Sequence, residues 1–314
     1  MQLCIMYLTD TRRHYTFEPF VKLLSKSEMK DKWTLYVLTH ESDTGFYEEY
    51  LKDTDIKYKI DQVNPHNNYM TKVQTASKFA RDSNIPYLMK CDNDIYLSSH
   101  VLDYMISNLN LLDTGSFLTL GPSLSTGIPS VEYFRKSFLS DTANRALEAL
   151  FSKTNMYDRD GVSYSKLNKH TTLSTSSWNP SEFFDSVRQI DHYYKGCHPV
   201  RFNEQSIKFI NSYILDRKDK VFEKSDYSII EDKSSPYLCD SIFCIKTSTY
   251  IDIINDESLF VDPYDEVPLN RYCWNNNMGH LFVKNGLAVH INYNWNHNIQ
   301  QYEKNFTKQL FENS

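Results

Sequence analysis

Strand-like and helix-like stretches alternate through the first 120 residues, and this alternation constrains the fold more than any other feature of the chain. Leu3 to Leu8 is a continuous apolar run that predicts a strand, and Phe17 to Leu24 predicts a helix with apolar positions at 17, 20, 21, 23 and 24. Trp33 to Leu38 predicts a second strand, Phe46 to Leu51 a short helix, and Ile56 to Ile60 a third, more polar strand. Tyr69 to Arg81 predicts a helix with Met70, Val73, Ala76 and Ala80 on one stripe. Ile85 to Cys91 then reads as a strand, apolar except for Lys90, and Ser116 to Leu120 as another. Strand and helix at this spacing imply an α/β chain with a mostly parallel, Rossmann-like sheet and right-handed crossovers. Ligands of such sheets bind outside the carboxyl ends of the strands.

Beyond residue 135 the texture changes. Phe134 to Ser152 reads as helical, whereas 153–200 is polar, loop-rich and short of apolar periodicity, the kind of long irregular stretch that usually serves a function. Ser206 to Leu215 predicts a helix, Ser241 to Thr247 a strand, and Leu281 to Asn292 a hairpin-like pair around Asn285-Gly286. Gly121 to Ser130 has the punctuation of a loop after the preceding strand. No linker interrupts the chain, so 1–314 reads as one domain. It comprises a regular half at 1–120 and a second half at 121–314 that contains the irregular insertion.

Eight glycines, no two within five residues of each other, exclude the G-x-G-x-x-G dinucleotide fingerprint and the G-x-x-x-x-G-K-[ST] phosphate loop. A phosphorylated ligand would have to be held another way. A net charge of −6, with 34 basic and 40 acidic residues interspersed, gives no basic footprint for nucleic acid. No apolar run approaches the length of a transmembrane helix. The N-terminal MQLCIMYLTDTRR lacks a basic stretch before its short apolar run, so it reads as a first strand and not a signal peptide. The six cysteines fall into no metal-binding spacing, and Cys4, Cys91 and Cys244 lie in apolar runs as buried free thiols would. These features imply a reducing, cytoplasmic setting.

The chemistry concentrates in Tyr87-Leu88-Met89-Lys90-Cys91-Asp92-Asn93-Asp94-Ile95-Tyr96-Leu97. A buried strand ends in Asp-Asn-Asp, and carboxylates at i and i+2 of an extended chain point to the same side. Two such charges at the end of a central strand repel unless a cation lies between them. A hard divalent ion with open positions for phosphate oxygens fits that place and removes the need for a glycine cradle. The bland alternative is a surface turn, which Asp and Asn favour by bonding their own backbone.

Lys90-Cys91-Asp92-Asn93-Asp94 after an apolar strand resembles the D-x-D motif of GT-A-fold glycosyltransferases, which use nucleotide-sugar donors. The helix Tyr69 to Arg81 looks like the one that leads into that strand. Asp262-Pro263-Tyr264-Asp265-Glu266-Val267-Pro268-Leu269 resembles the acidic segment that opens a helix in the acceptor half. Val289-His290-Ile291 resembles the late strand whose histidine adds a metal ligand. The resemblance implies a GT-A-like mixed sheet flanked by helices, with a nucleotide-sugar (donor) half over 1–120 and a loop-rich acceptor half beyond.

The roles implied by the resemblance are specific. Asp92 contacts the donor ribose or a metal-bound water, with Asn93 beside it, and Asp92, Asp94 and His290 serve Mn2+ or Mg2+. Asp265 or Glu266 acts as the base of an inverting reaction, with helix capping as the bland alternative and a retaining route left open. Thr9, Asp10 and Arg12, at the end of the first strand, lie where base and ribose bind, and Lys72 and Lys90 could face the diphosphate. Asp240 competes for the base role and His297 for the ligand role, while Trp178, Tyr193, Tyr194 and Trp295 could stack on sugars.

The activity so implied is transfer of a sugar from a nucleoside-diphosphate sugar to a hydroxyl acceptor, a glycan or glycoside. A sugar nucleotidyltransferase would carry a glycine- and basic-rich loop after the first strand, where Thr9 to Tyr15 has the arginines but no glycine. A D-x-D phosphatase would carry its motif on the first strand. A carbohydrate-binding module is compatible with 23 Tyr but does not need the acidic pair.

Overall fold

The computed structural model describes residues 1–9, 11–63, 69–126, 130–151, 200, 203–233, 238, 241–260, 265–291 and 299–312. Its first half follows the alternation in the sequence. β1 (Leu3–Leu8), α1 (Phe17–Leu24), β2 (Trp33–Thr39), α2 (Thr44–Leu51), β3 (Tyr58–Gln62), α3 (Tyr69–Asp82) and β4 (Tyr87–Asp92) succeed one another, and β3, β2, β1 and β4 pair in parallel in that order. The third strand starts two residues later than its apolar pattern predicts, at Tyr58.

A parallel strand covered on both faces must be apolar at every position, and β1 is buried throughout. Its alternate side chains serve two cores. Leu3, Ile5 and Tyr7 pack with Phe17 and Phe20 of α1, whereas Cys4, Met6 and Leu8 pack with Met70, Val73, Ala76 and Ala80 of α3. The same alternation in β4 sends Met89 and Cys91 to the first core and Leu88 to the second. Lys90 shares the parity of Leu88, which places a lysine inside the α3-side core.

The chain continues through β5 (Ile95–Leu97), α4 (Ser99–Ser107), β6 (Phe117–Leu124), α5 (Ser130–Phe138) and α6 (Asp141–Phe151). Then follow α7 (Glu204–Leu215), α8 (Lys218–Val221), β7 (Ser228–Asp232), β8 (Ile242–Lys246), α9 (Thr247–Asn255), α10 (Glu266–Asn275), β9 (Gly279–His290) and α11 (Ile299–Phe311). The sheet order is β3-β2-β1-β4-β8-β6-β9-β5, with β7 also paired to β9. β8 runs antiparallel to β4 and β6, so the sheet is mixed. The architecture is thus an α/β, Rossmann-like mixed sheet flanked by helices: the alternation predicts its parallel part, and antiparallel β8 makes it the mixed sheet that the resemblance implies. A third core joins α5, α6, α7 and α11 to the β5 and β9 end through residues such as Tyr96, Phe134, Phe151, Ile210, Val289 and Phe306.

Three local expectations change. Asn285-Gly286 does not turn a hairpin, because both flanks of β9 pair in parallel with β6 and not with each other. The register jumps from Pro122–Val283 to Ser123–Leu287, so Lys284, Asn285 and Gly286 form a bulge, and Asn285 takes φ 62°. Gly121 to Leu124 belong to β6 and not to a loop, while Gly127 to Pro129 lie outside the described residues. The stretch 134–152 is two helices, broken between Phe138 and Asp141. The insertion 153–200 lies outside the described residues apart from Val200.

Cys4, Cys91, Cys244 and Cys273 are buried free thiols. Burial alone pushes the Cys4 thiol up to about 12, far from reactivity. Among the described residues no helix is long and apolar enough to cross a membrane.

Candidate active site

At the carboxyl ends of β1 and β4 the structure gathers most of the side chains singled out in the sequence. Thr9 continues β1 and is buried, its hydroxyl donating to Leu38 O at 2.7 Å. Lys72 reaches across from α3 and donates to Thr9 O at 3.0 Å, which sets its charge over the end of β1. Asp10 lies outside the described residues, as do Asp240, His297, Trp178, Tyr193, Tyr194 and Trp295, and the side chain of Arg12 is not described.

Lys90 is 1% exposed, and such a charge persists only where carboxylates and π faces replace water. Its Nζ lies 3.5 Å from Asp265 Oδ1 and 3.9 Å from Asp92 Oδ1. It also sits 5.1 Å from the Tyr69 ring centroid and 5.9 Å from that of Phe243. Asp265 precedes α10 and is wholly buried; it accepts from the Tyr69 hydroxyl at 2.8 Å and from the Tyr250 hydroxyl. Its carboxylate therefore faces Lys90 and two tyrosines, while Glu266 beside it opens α10 and is half-buried. Asp262, Pro263 and Tyr264 lie outside the described residues.

Asp92 ends β4, and its side chain is 30% exposed. Burial pushes its carboxyl up to about 7 against the pull of Lys90, and the charges of Asp94 and Asp265 push the same way as burial. Asn93 is buried in the turn that follows.

Asp94 closes that turn and is buried. Ile291 N donates to its carbonyl at 3.0 Å, which ties the turn to the end of β9 where Ile95 pairs with His290. One carboxylate oxygen, Oδ2, meets Arg13 Nη1 at 3.0 Å. The other, Oδ1, is buried with no hydrogen-bond partner among the described residues and faces His290 Nε2 at 3.7 Å. His290 is held from behind: its Nδ1 lies 3.0 Å from Thr126 Oγ1, and its backbone N–H donates to Ser125 Oγ at 3.1 Å. The Thr126 hydroxyl thus braces the imidazole at Nδ1 and turns Nε2 toward Asp94, the kind of rear support typical of metal-bound histidine.

Arg13 and Glu303 are members of this site that sequence reading did not single out. Glu303 lies on α11 and is wholly buried. Arg13 donates to it from Nε and Nη2, each at 3.2 Å, and Tyr15 OH donates to Glu303 Oε2 at 3.0 Å. Burial opposes the Arg13 charge, but Asp94 and Glu303 together hold the guanidinium firmly protonated. Burial raises Glu303 against the pull of Arg13. Nothing local marks this pair, which is separated by 290 residues.

Asp94 and His290 thus fit a divalent ion as a carboxylate–imidazole pair with an unmet acceptor. Among the described residues, however, no group of three or more His, Cys, Asp or Glu side chains is gathered closely enough to hold one, and Asp92 lies 3.9 Å from Lys90. Charge points the same way as the unmet oxygen. Among the described residues of this linked set, the two cations Lys90 and Arg13 face the four carboxyl groups of Asp92, Asp94, Asp265 and Glu303, so acidic groups outnumber basic ones.

No protein-family model and no curated protein matches the chain. Many solved structures are similar to it, among them the three that follow. One is 4-diphosphocytidyl-2C-methyl-D-erythritolsynthase from Anaerococcus prevotii DSM 20548, at 6% identity and TM-score 0.49 over 98% of this chain and 96% of that one. A second is GalNAc-T7 with UDP, GalNAc and Mn2+, at 12% identity and TM-score 0.49 over 95% of this chain and 44% of that one. The third, described as a nucleotide-diphospho-sugar transferase from Desulfovibrio desulfuricans G20, has 12% identity and TM-score 0.29 over 39% of this chain and 59% of that one. At these identities the likeness is one of chain path, and it carries no residue correspondence.

Proposed function

We propose that this chain is a metal-dependent, GT-A-like glycosyltransferase that moves a sugar from a nucleoside-diphosphate sugar to a hydroxyl acceptor, a glycan or glycoside. The observation that carries the reading is the buried Asp94 Oδ1, without a hydrogen-bond partner among the described residues and aimed at His290 Nε2 beside the carboxyl end of β4. Mn2+ or Mg2+ held there would neutralise charge on the departing nucleoside diphosphate.

The chain's own residues divide the remaining work. Lys72, fixed over the end of β1, faces the diphosphate, and Thr9 beside it contacts the nucleoside; Asp10 and Arg12, next in sequence, are assigned the same task. Asp92, the most exposed of the clustered aspartates, contacts the ribose. Asp265 is wholly buried against Lys90, Tyr69 and Tyr250, so it serves as the counter-ion of Lys90. Glu266, half-buried at the start of α10, is then the base. As the acceptor oxygen attacks the anomeric carbon, its proton passes to Glu266, and the bond to the diphosphate oxygen breaks, with inversion at the anomeric carbon.

Thermal-shift measurements with UDP, GDP, CMP and dTDP, each with and without Mn2+ or Mg2+, test this reading. One nucleoside diphosphate should stabilise the protein only when the ion is present, by about 2.7 kcal/mol at a hundred times its Kd. Asp94→Asn should abolish that effect. No shift with any diphosphate, alongside stabilisation by a free oligosaccharide, would sink the proposal in favour of a binding module. Release of pyrophosphate from a nucleoside triphosphate would replace it with a nucleotidyltransferase.

A further inference from the structure

We infer that Glu303 and Arg13 form a positioning pair for the ion site, with Glu303 holding the Arg13 guanidinium so that it takes only one oxygen of Asp94 and leaves the other for the ion. The inference rests on the proposed ion at Asp94 and His290, and it assigns a task to α11, more than 200 residues from the turn that carries Asp94.

The geometry is that of a guanidinium with all three nitrogens committed. Glu303 accepts from Nε and Nη2 at 3.2 Å each, a fork-to-fork pair that fixes the plane and reach of the group. What is left is Nη1, which meets Asp94 Oδ2 at 3.0 Å. An arginine without such an anchor is free to bind a carboxylate through both oxygens, a frequent and strong arrangement. Here that arrangement would cover Oδ1 and place a cation where the divalent ion belongs. Tyr15 completes the brace by donating to Glu303 Oε2 at 3.0 Å. The phenol, Glu303 and the guanidinium form one line behind Asp94, as Thr126 and Ser125 do behind His290. Each ligand of the pair is therefore aimed by a group that does not touch the ion, and such outer partners commonly command roughly 10–100-fold in metal affinity.

Mn2+ titration of the full chain, read by the electron paramagnetic resonance of free Mn2+ with no nucleotide present, tests the inference. Glu303→Gln should weaken Mn2+ binding at least about tenfold, because the released arginine closes on both Asp94 oxygens. Arg13→Gln combined with Glu303→Gln should recover most of that loss, since no guanidinium is left to compete. A role limited to holding the fold predicts no such recovery. Should Glu303→Gln fail to fold, Tyr15→Phe removes one hydrogen bond of the brace and should weaken Mn2+ binding in the same direction, about threefold if half the effect is lost on a logarithmic scale. Wild-type affinity in the Glu303→Gln or Tyr15→Phe protein would overturn the inference, as would a double variant that binds no better than Glu303→Gln. If the wild-type chain itself binds no Mn2+, the proposed metal dependence fails first and the inference falls with it.

Discussion

Replacing Lys90 with methionine should destabilise the protein by about 3–5 kcal/mol, the cost of breaking a buried ion pair from one side. The size follows from the surroundings of Lys90. At an effective dielectric constant near 20, a charge 3.5 Å from Asp265 Oδ1 is attracted by about 5 kcal/mol, and one 3.9 Å from Asp92 Oδ1 by about 4 kcal/mol. Desolvation of a lysine that is 1% exposed cancels much of this in the intact protein. Methionine fills the same space, but the wholly buried Asp265 carboxylate loses the Lys90 cation, while the Tyr69 and Tyr250 hydroxyls remain. At about 2 °C per kcal/mol for a chain of this size, the melting temperature should fall by about 6–10 °C.

The companion variant, Lys90→Met with Asp265→Asn, removes both charges and retains an oxygen to accept from the tyrosines. It should recover at least about 1.5 kcal/mol relative to the sum of the two single changes, within the usual range for directly coupled sites. Urea unfolding of the four proteins measures the cycle. A loss below about 1 kcal/mol in Lys90→Met, or strict additivity in the double variant, would refute the assignment of Asp265 as the counter-ion and return it to contention as the base.

Two further outcomes follow from the same coordinates. Burial holds the Asp92 proton up to about 7, against an ordinary value of 3.8, so the native chain binds that proton more tightly than the unfolded chain does. Its contribution to stability is complete below the ordinary value and is lost as pH rises to about 7, while Mn2+ affinity should increase between about pH 6 and 8 as Asp92 ionises. Mn2+ titrations across that range in wild type and Asp92→Asn check the trend, and an unchanged slope in the variant would refute it. Separately, a methyl group at Gly279 would lie 2.4 Å from Asp232 O, a backbone atom that cannot swing aside. Gly279→Ala should cost about 1–3 kcal/mol in urea unfolding by forcing β7 from β9, and a neutral result would show that the contact yields.

The first-half strands and helices were legible because each is specified by its own residues. Continuous apolar runs gave β1, β2 and β4, and the 70, 73, 76, 80 stripe gave the buried face of α3. Asp92-Asn93-Asp94 could be placed at a strand end for the same reason. Features that depend on distant partners were not legible. Asn285-Gly286 carries the usual hairpin signal, yet the position of β6 decides that both flanks run the same way. Arg12 and Arg13 are equivalent in a one-dimensional reading. Only the approach of α11 shows that Arg13 reaches Asp94, because Glu303 that selects it lies 290 residues on.

By their spacing alone, two neighbouring carboxylates imply a cation between them. The structure changes the premise, because each already has one: Lys90 beside Asp92 and Arg13 beside Asp94. Proximity alone would then make a metal superfluous. Each internal cation, however, is shared with a second carboxylate, Asp265 for Lys90 and Glu303 for Arg13, so neither discharges its aspartate fully. The deficit takes two visible forms. Asp92 holds its proton up to about 7, and Asp94 keeps a buried oxygen with no hydrogen bond among the described residues. A single divalent ion bound at Asp94 and His290 answers both, since it meets the oxygen directly and lowers the cost of ionising Asp92 through its field. The case for metal therefore rests on how the internal cations are divided, which the spacing of two aspartates could not reveal.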